Sequence, residues 1–134
     1  MSTKPQIILD ASAIIAYMDE EPGSEIVEQW FPASAASLVN ISEVIAVFVR
    51  QGYDEAEVAT EIRGLIPQII PFDWDLARLT AAMILQTQSK GLGLGDRAAL
   101  ATACQMNLPV LTAESRWLEI SVGVKVHLIR QRKK

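Results

Sequence analysis

Five short apolar runs, QIIL, ASLV, QIIPF, LPVLT and VKVHLI, punctuate this 134-residue chain. Between each and the next lies at least one segment whose apolar residues recur at helical spacing. A short strand with no polar alternation has to be covered on both faces. Strands separated by helices are joined by crossovers, which build parallel sheets. The pattern predicts a three-layer α/β/α fold around one parallel sheet. The expected helices are SAIIAYM, PGSEIVEQWF, ISEVIAVFVRQG stopping at Gly52, DEAEVATEIRGLI from Asp54 to Pro67, one long helix DLARLTAAMILQTQSKG, and GLGLGDRAALATACQMN after a glycine turn. SRWLE reads as a helical turn. The length suits one domain over 1–134, able to bury about two-thirds of its unfolded surface.

Composition narrows the setting. The single cysteine, Cys104, cannot close an internal disulfide, which fits a reducing cytoplasm. MSTKPQ is polar and no apolar run approaches ~20 residues, so neither a leader nor a membrane span is expected. Half the residues are hydrophobic and the mean hydropathy is +0.22. This excess predicts a homodimer, with the helices at 54–65 and 75–86 as contributors, or a face covered by a partner. The net charge of −4 argues against a general nucleic-acid binder, although four of the last five residues, RQRKK, are basic. Trp30, Trp74 and Trp117 lie in apolar or amphipathic runs and are expected to pack rather than to stack on bases. Cys104, Met83 and Met106 read as packing residues.

Ligands of open α/β sheets gather beyond the carboxyl ends of the strands. Four acids are expected there. Asp10 follows the first strand, Glu43 lies early in the helix after the second, Asp96 opens the alanine-rich helix, and Glu114 follows the fourth strand. Crowded carboxylates raise one another's pKa unless a cation lies between them. Hard oxygen donors without histidine or cysteine suit Mg²⁺ or Mn²⁺, and the lone His127 falls in the fifth run. Each acid also has a structural reading. Asn40 and Glu43 have capping-box spacing, Asp96 follows Gly95 as an N-cap would, Ser12 can cap the first helix, and Glu114 can open SRWLE. Asp10 is the acid that capping explains least. Thr112 can bond a site carboxylate or satisfy a strand end. Arg97 and Arg116 can meet a substrate phosphate or form surface ion pairs.

LDASAIIAYMDEEPG, SEV, LGLGDRAALATACQMNLPVLTAESRW and the closing GVKVHLIR together resemble the PIN-domain ribonucleases, and among them the VapC-type toxins of toxin–antitoxin pairs. The resemblance spans essentially the whole chain. It implies a five-stranded parallel sheet in the order 3-2-1-4-5 and Mg²⁺- or Mn²⁺-dependent endonucleolytic cleavage of RNA. By resemblance Asp10, Glu43 and Asp96 match the metal-binding acids, and Ser12 matches the hydroxyl that supports the first. Glu114 stands where many members carry aspartate, keeping the charge and adding a methylene. A homodimer and a small antitoxin are the implied partners. Two rivals are a PIN-like binding module that no longer turns over and a phosphohydrolase of another α/β type. Phosphoaspartate-forming hydrolases want D-x-D near the first strand, where this chain has D-A-S.

Overall fold

The computed structural model describes residues 4–131, so Arg132, Lys133 and Lys134 of the basic tail lie outside it. The elements run β1 (Ile7–Leu9), α1 (Ala11–Met18), α2 (Ser24–Trp30), β2 (Ser34–Ser37), α3 (Leu38–Arg50), α4 (Glu55–Leu65) and β3 (Gln68–Ile70). They continue with α5 (Trp74–Ala82), α6 (Ile84–Thr87), α7 (Leu94–Met106), β4 (Val110–Thr112) and β5 (Val126–Leu128). Short 3₁₀ turns occupy Phe31–Ala33, Gln88–Lys90 and Ser115–Glu119.

All strand pairs are parallel and their order is β3-β2-β1-β4-β5, as the resemblance implied. Register places Ile8 beside Ala35 and Val110, and Leu111 beside both Leu9 and His127. The strand residues divide between two cores. Ile7, Leu9, Ala36 and Leu111 pack with Ile14, Val27, Val44, Phe48 and Ile62 from α1 to α4. Ile8, Ala35 and Val110 pack with Leu76, Ala99, Leu100 and Trp117 on the other face. Alternate Cβ atoms of a strand point to opposite faces, so a three-residue strand serves both layers. In α7, Gly95 and every residue from Ala98 to Ala103 are buried, and the chain leaves the helix through Asn107 in the left-handed region at φ 56°. A helix this enclosed fixes the position of its own first turn, which carries Asp96.

Three boundaries differ from expectation. The second strand is Ser34–Ser37 rather than 36–39, and Leu38 and Val39 belong to α3. The Ser37 hydroxyl caps that helix by accepting the Val39 N–H at 3.2 Å. At its far end Gln51 is the cap residue and Gly52 follows at φ 101°. The expected long helix over 75–91 breaks at Met83, whose carbonyl accepts from both the Gln86 N–H at 3.1 Å and the Thr87 hydroxyl at 2.9 Å. A threonine bonding back to i−4 in this way bends helices. Trp117 is fully buried and Trp30 packs against the core, but Trp74 is 77% exposed. Met83 is buried, and Cys104 and Met106 pack partly buried against the second core.

Candidate active site

The chain runs β1, β2, β3 to one side of the sheet and then β4, β5 to the other, so the order reverses between β1 and β4. Asp10 leaves β1 at that crevice in extended backbone, 2% exposed. It is the N-cap of α1: its Oδ1 accepts the Ala13 N–H at 2.8 Å. Capping therefore explains Asp10 in part after all, and Ser12 is not the cap. The Ser12 hydroxyl donates toward Oδ1 and Oδ2 of Asp10 at 2.8 and 2.9 Å and accepts the Ala113 N–H at 2.9 Å. The Thr112 hydroxyl donates to Asp10 Oδ2 at 2.6 Å and accepts the Glu114 N–H at 3.0 Å. Two hydroxyls thus stitch the ends of β1 and β4 around one carboxylate.

Capping does not account for that surplus of donors, nor for the burial. Burial raises the Asp10 carboxyl from 3.8 to about 7, against the opposing pull of the Thr112, Ala13 and Ser12 hydrogen bonds, and the charge of Asp96 pushes it further up. Glu43 is raised as well, by burial first, with the Asn40 hydrogen bond lowering it and Asp96 again raising it. Asp96 is therefore within electrostatic reach of both.

Glu43 lies in the second turn of α3, because the helix starts at Leu38, so the capping-box reading of Asn40 and Glu43 fails. The buried Asn40 instead spans two helices: its Nδ2 donates to Glu43 Oε1 at 2.9 Å and to the Gly95 carbonyl at 3.0 Å. Asp96 is the third helical residue of α7 rather than its N-cap, and its Oδ2 accepts the Gly93 N–H at 3.2 Å. Negative charge is favoured in that first turn. Glu114 precedes the Ser115–Glu119 turn and makes no side-chain cap.

Arg116 reaches Asp96 Oδ2 at 3.4 Å through Nη2 and Glu114 Oε2 at 3.6 Å through Nε. It joins Asp96 to Glu114. Arg97 turns away from the acids, its Nη1 donating to the Thr80 carbonyl of α5 at 2.9 Å. Sequence reasoning passed over the Asn40 bridge and the role of Gly95. The Asn40–Glu43 spacing was visible but pointed to a cap, and the Gly95 contact joins residues 55 apart.

The donor set suits a hard divalent cation. Every candidate ligand is a carboxylate oxygen. Asp10 receives three donors, the Ser12 hydroxyl shared between its two oxygens, and all three are neutral. Its raised pKa marks a charge that no cation among the described residues compensates. Among the described residues no three acids close into a ready-made cage, so a bound cation would draw them together. A cavity of about 460 Å³ lined by Tyr17, Glu28, Phe31, Pro32, Arg63 and Leu65 involves none of these four acids.

A protein-family model described as PIN domain matches residues 7–123. No curated protein sequence matches significantly. Among solved structures, a chain of the DNA-bound VapBC of Salmonella typhimurium is 17% identical with TM-score 0.72, covering 94% of this chain and 99% of that one. A chain of a toxin–antitoxin complex from Klebsiella pneumoniae is 22% identical with TM-score 0.71, covering 95% and 100%. The Mycobacterium tuberculosis VapC20, described as a Sarcin–Ricin loop cleaving toxin, is 13% identical with TM-score 0.67, covering 90% and 99%. At such identities the likeness is one of fold.

Proposed function

This chain belongs to the PIN-domain family, and from that premise we propose that it is a metal-dependent endoribonuclease of the VapC toxin type, hydrolysing RNA phosphodiester bonds at the acids around Asp10. The observation that carries the reading is Asp10 itself, buried at the crevice between β1 and β4, oriented by Ser12 and Thr112, and left without a neutralising partner. Asp10, Asp96 and Glu43 are the residues that would hold Mg²⁺ or Mn²⁺, with Glu114 at the rim. A divalent cation there supplies Lewis acidity and a lowered water pKa for hydrolysis. Ser12 and Thr112 fix the Asp10 carboxylate so that it need not reorganise. Arg116 lies where a phosphate oxygen would approach the rim, whereas the guanidinium of Arg97 is engaged by α5.

The neighbours supply the proposed setting. One is a VapBC, one a toxin–antitoxin complex by description, and one is described as a Sarcin–Ricin loop cleaving toxin. We therefore assign a small cognate antitoxin as partner, a homodimer, and a cytoplasmic location for the chain as one domain over 1–134. Tyr53, Trp74, Ile84 and Leu85 are exposed apolar residues on or beside the helices expected to build the dimer, and sedimentation over a concentration series reads that assembly directly. Among the described residues no helix is long and apolar enough to cross a membrane.

Cleavage of single-stranded and structured RNAs in Mn²⁺, in EDTA, and by Asp10→Asn in Mn²⁺ tests the activity. Cleavage by wild type in Mn²⁺ alone supports it. RNA bound but left intact by wild type in Mn²⁺ favours the non-catalytic binding module instead.

A further inference from the structure

Asn40 is 1% exposed and sits inside α3, which packs against α7. Its N–H groups are spent within α3 on Glu43 Oε1 and across the helix boundary on the Gly95 carbonyl of α7. Its Oδ1 is buried without a hydrogen-bond partner. A buried amide with an orphan acceptor is a poor way to hold two helices together, because an apolar side chain of the same volume leaves nothing unsatisfied. What an apolar side chain does not supply is a donor to the Glu43 carboxylate.

Gly95 completes the arrangement. A Cβ built there would fall on the Glu43 carboxylate, overlapping all three of its terminal atoms. The carboxylate therefore occupies the space that glycine leaves empty, directly before Asp96 in sequence. Asn40 grips one carboxylate oxygen from the α3 side and the backbone of α7 from the other, and Gly95 makes room between them. Without that grip Glu43, on an exposed position of α3, would be free to turn toward solvent.

We infer that Asn40 is a positioning residue, which with Gly95 docks the Glu43 carboxylate against the first turn of α7, the turn that carries Asp96, so that a cation drawing these acids together meets Glu43 already held in place. The inference rests on the proposed reading of the acids as a metal site. It assigns to Asn40 a function that acts through Glu43 and not through substrate. Outer partners of metal ligands typically contribute about 10- to 100-fold in metal affinity.

The test is calorimetric titration of Mn²⁺ into metal-free wild type, Asn40→Leu, Gly95→Ala and Glu43→Gln, with melting curves of the same samples. Asn40→Leu keeps the branched outline and the number of heavy atoms and removes the donors. It is expected to melt close to wild type and to bind Mn²⁺ about tenfold or more weakly, with Gly95→Ala weakened likewise. In a Glu43→Gln background, Asn40→Leu should add no further loss. Should the leucine variant fail to fold, Asn40→Ser, whose hydroxyl cannot serve both acceptors, carries the same comparison. Unchanged Mn²⁺ affinity in the Asn40 variants, whatever happens to melting, makes Asn40 a structural brace and overturns the inference while leaving the metal site standing. Failure of wild type itself to bind Mn²⁺ removes the metal site, and the inference with it.

Discussion

Asp10 and Glu114 both follow strands that lie side by side in the sheet, β1 and β4, and the fold treats them in opposite ways. Asp10 is 2% exposed and, among the described residues, held only by neutral donors, two hydroxyls and a backbone N–H. Its charge is oriented but not compensated, and its carboxyl is pushed up to about 7. The side chain of Glu114 is 43% exposed and already faces a cation, Arg116, shared with Asp96. A buried acid left without a counter-charge is where an added cation gains most, because burial weakens screening and the folded protein offers nothing in competition. The rim acid gains less, and its guanidinium must first move aside. The contrast assigns Asp10 as the anchor of the site and Glu114 as an accessory.

Exchanging the anchor gives the largest expected effect. Asp10→Asn should leave RNA cleavage at background. The unfolded chain releases the Asp10 proton near the ordinary 3.8, whereas the folded chain holds it to about 7. The folded state binds more protons in that window, so metal-free stability falls as pH rises from about 4 to about 7 and levels off above. Asp10→Asn should flatten most of that fall, leaving a residue from the raised Glu43. Its metal-free melting temperature at pH 8 should equal or exceed that of wild type. An Asn variant that is less stable at pH 8 and keeps the wild-type pH slope would break the comparison.

The orienting hydroxyl comes next. Thr112→Val removes the 2.6 Å donor to Asp10 and the acceptor of the Glu114 N–H. Bonds to a charged acceptor contribute about 2 kcal/mol, and neutral ones about half that. Denaturant unfolding should therefore show a larger loss at pH 8, where Asp10 is ionised, than at pH 5. Equal losses at both would mean that Thr112 only finishes a strand.

How much of this could be read from the amino acids follows the same physics. β1 and β4 were legible because uninterrupted apolar residues mark a strand buried on both faces. β2 was misplaced by two residues because its sequence, SAAS, is buried through small side chains that carry no hydropathy signal, while the neighbouring Leu38 and Val39 do. That shift moved Glu43 from the second helical turn into the first and made a cap of Asn40. Asp10, Glu43, Asp96 and Glu114 could each be located by counting from a strand end or a glycine turn. Their inequality could not, since it depends on Thr112, 102 residues from Asp10, and on which acid Arg116 reaches. The Arg97 contact was hidden for the same reason: nothing near it in sequence announces the Thr80 carbonyl.

The rim should respond mildly. In single-turnover cleavage at saturating Mn²⁺, Glu114→Asp should stay within about tenfold of wild type, about 1.4 kcal/mol in the barrier, and Glu114→Gln should lower activity without erasing it. Asp10→Glu should be far slower than either. Glu114→Asp as inactive as Asp10→Glu would make the two acids equals. Smallest of all is Arg116→Gln. Partly exposed ion pairs contribute about 1 kcal/mol or less, so stability should hardly change, while Mn²⁺ should bind somewhat more tightly with the guanidinium gone. Weaker Mn²⁺ binding in that variant would show that Arg116 organises the acids rather than competing for them.

The most direct measurement is the anomalous scattering of Mn²⁺ in crystals of the wild-type protein equilibrated with the ion. The account predicts a peak at the crevice between β1 and β4, in contact with the Asp10 carboxylate and beside Asp96. A peak held by Glu114 with Asp10 unligated, or no peak at the crevice in a preparation that cleaves RNA only with Mn²⁺, would contradict it.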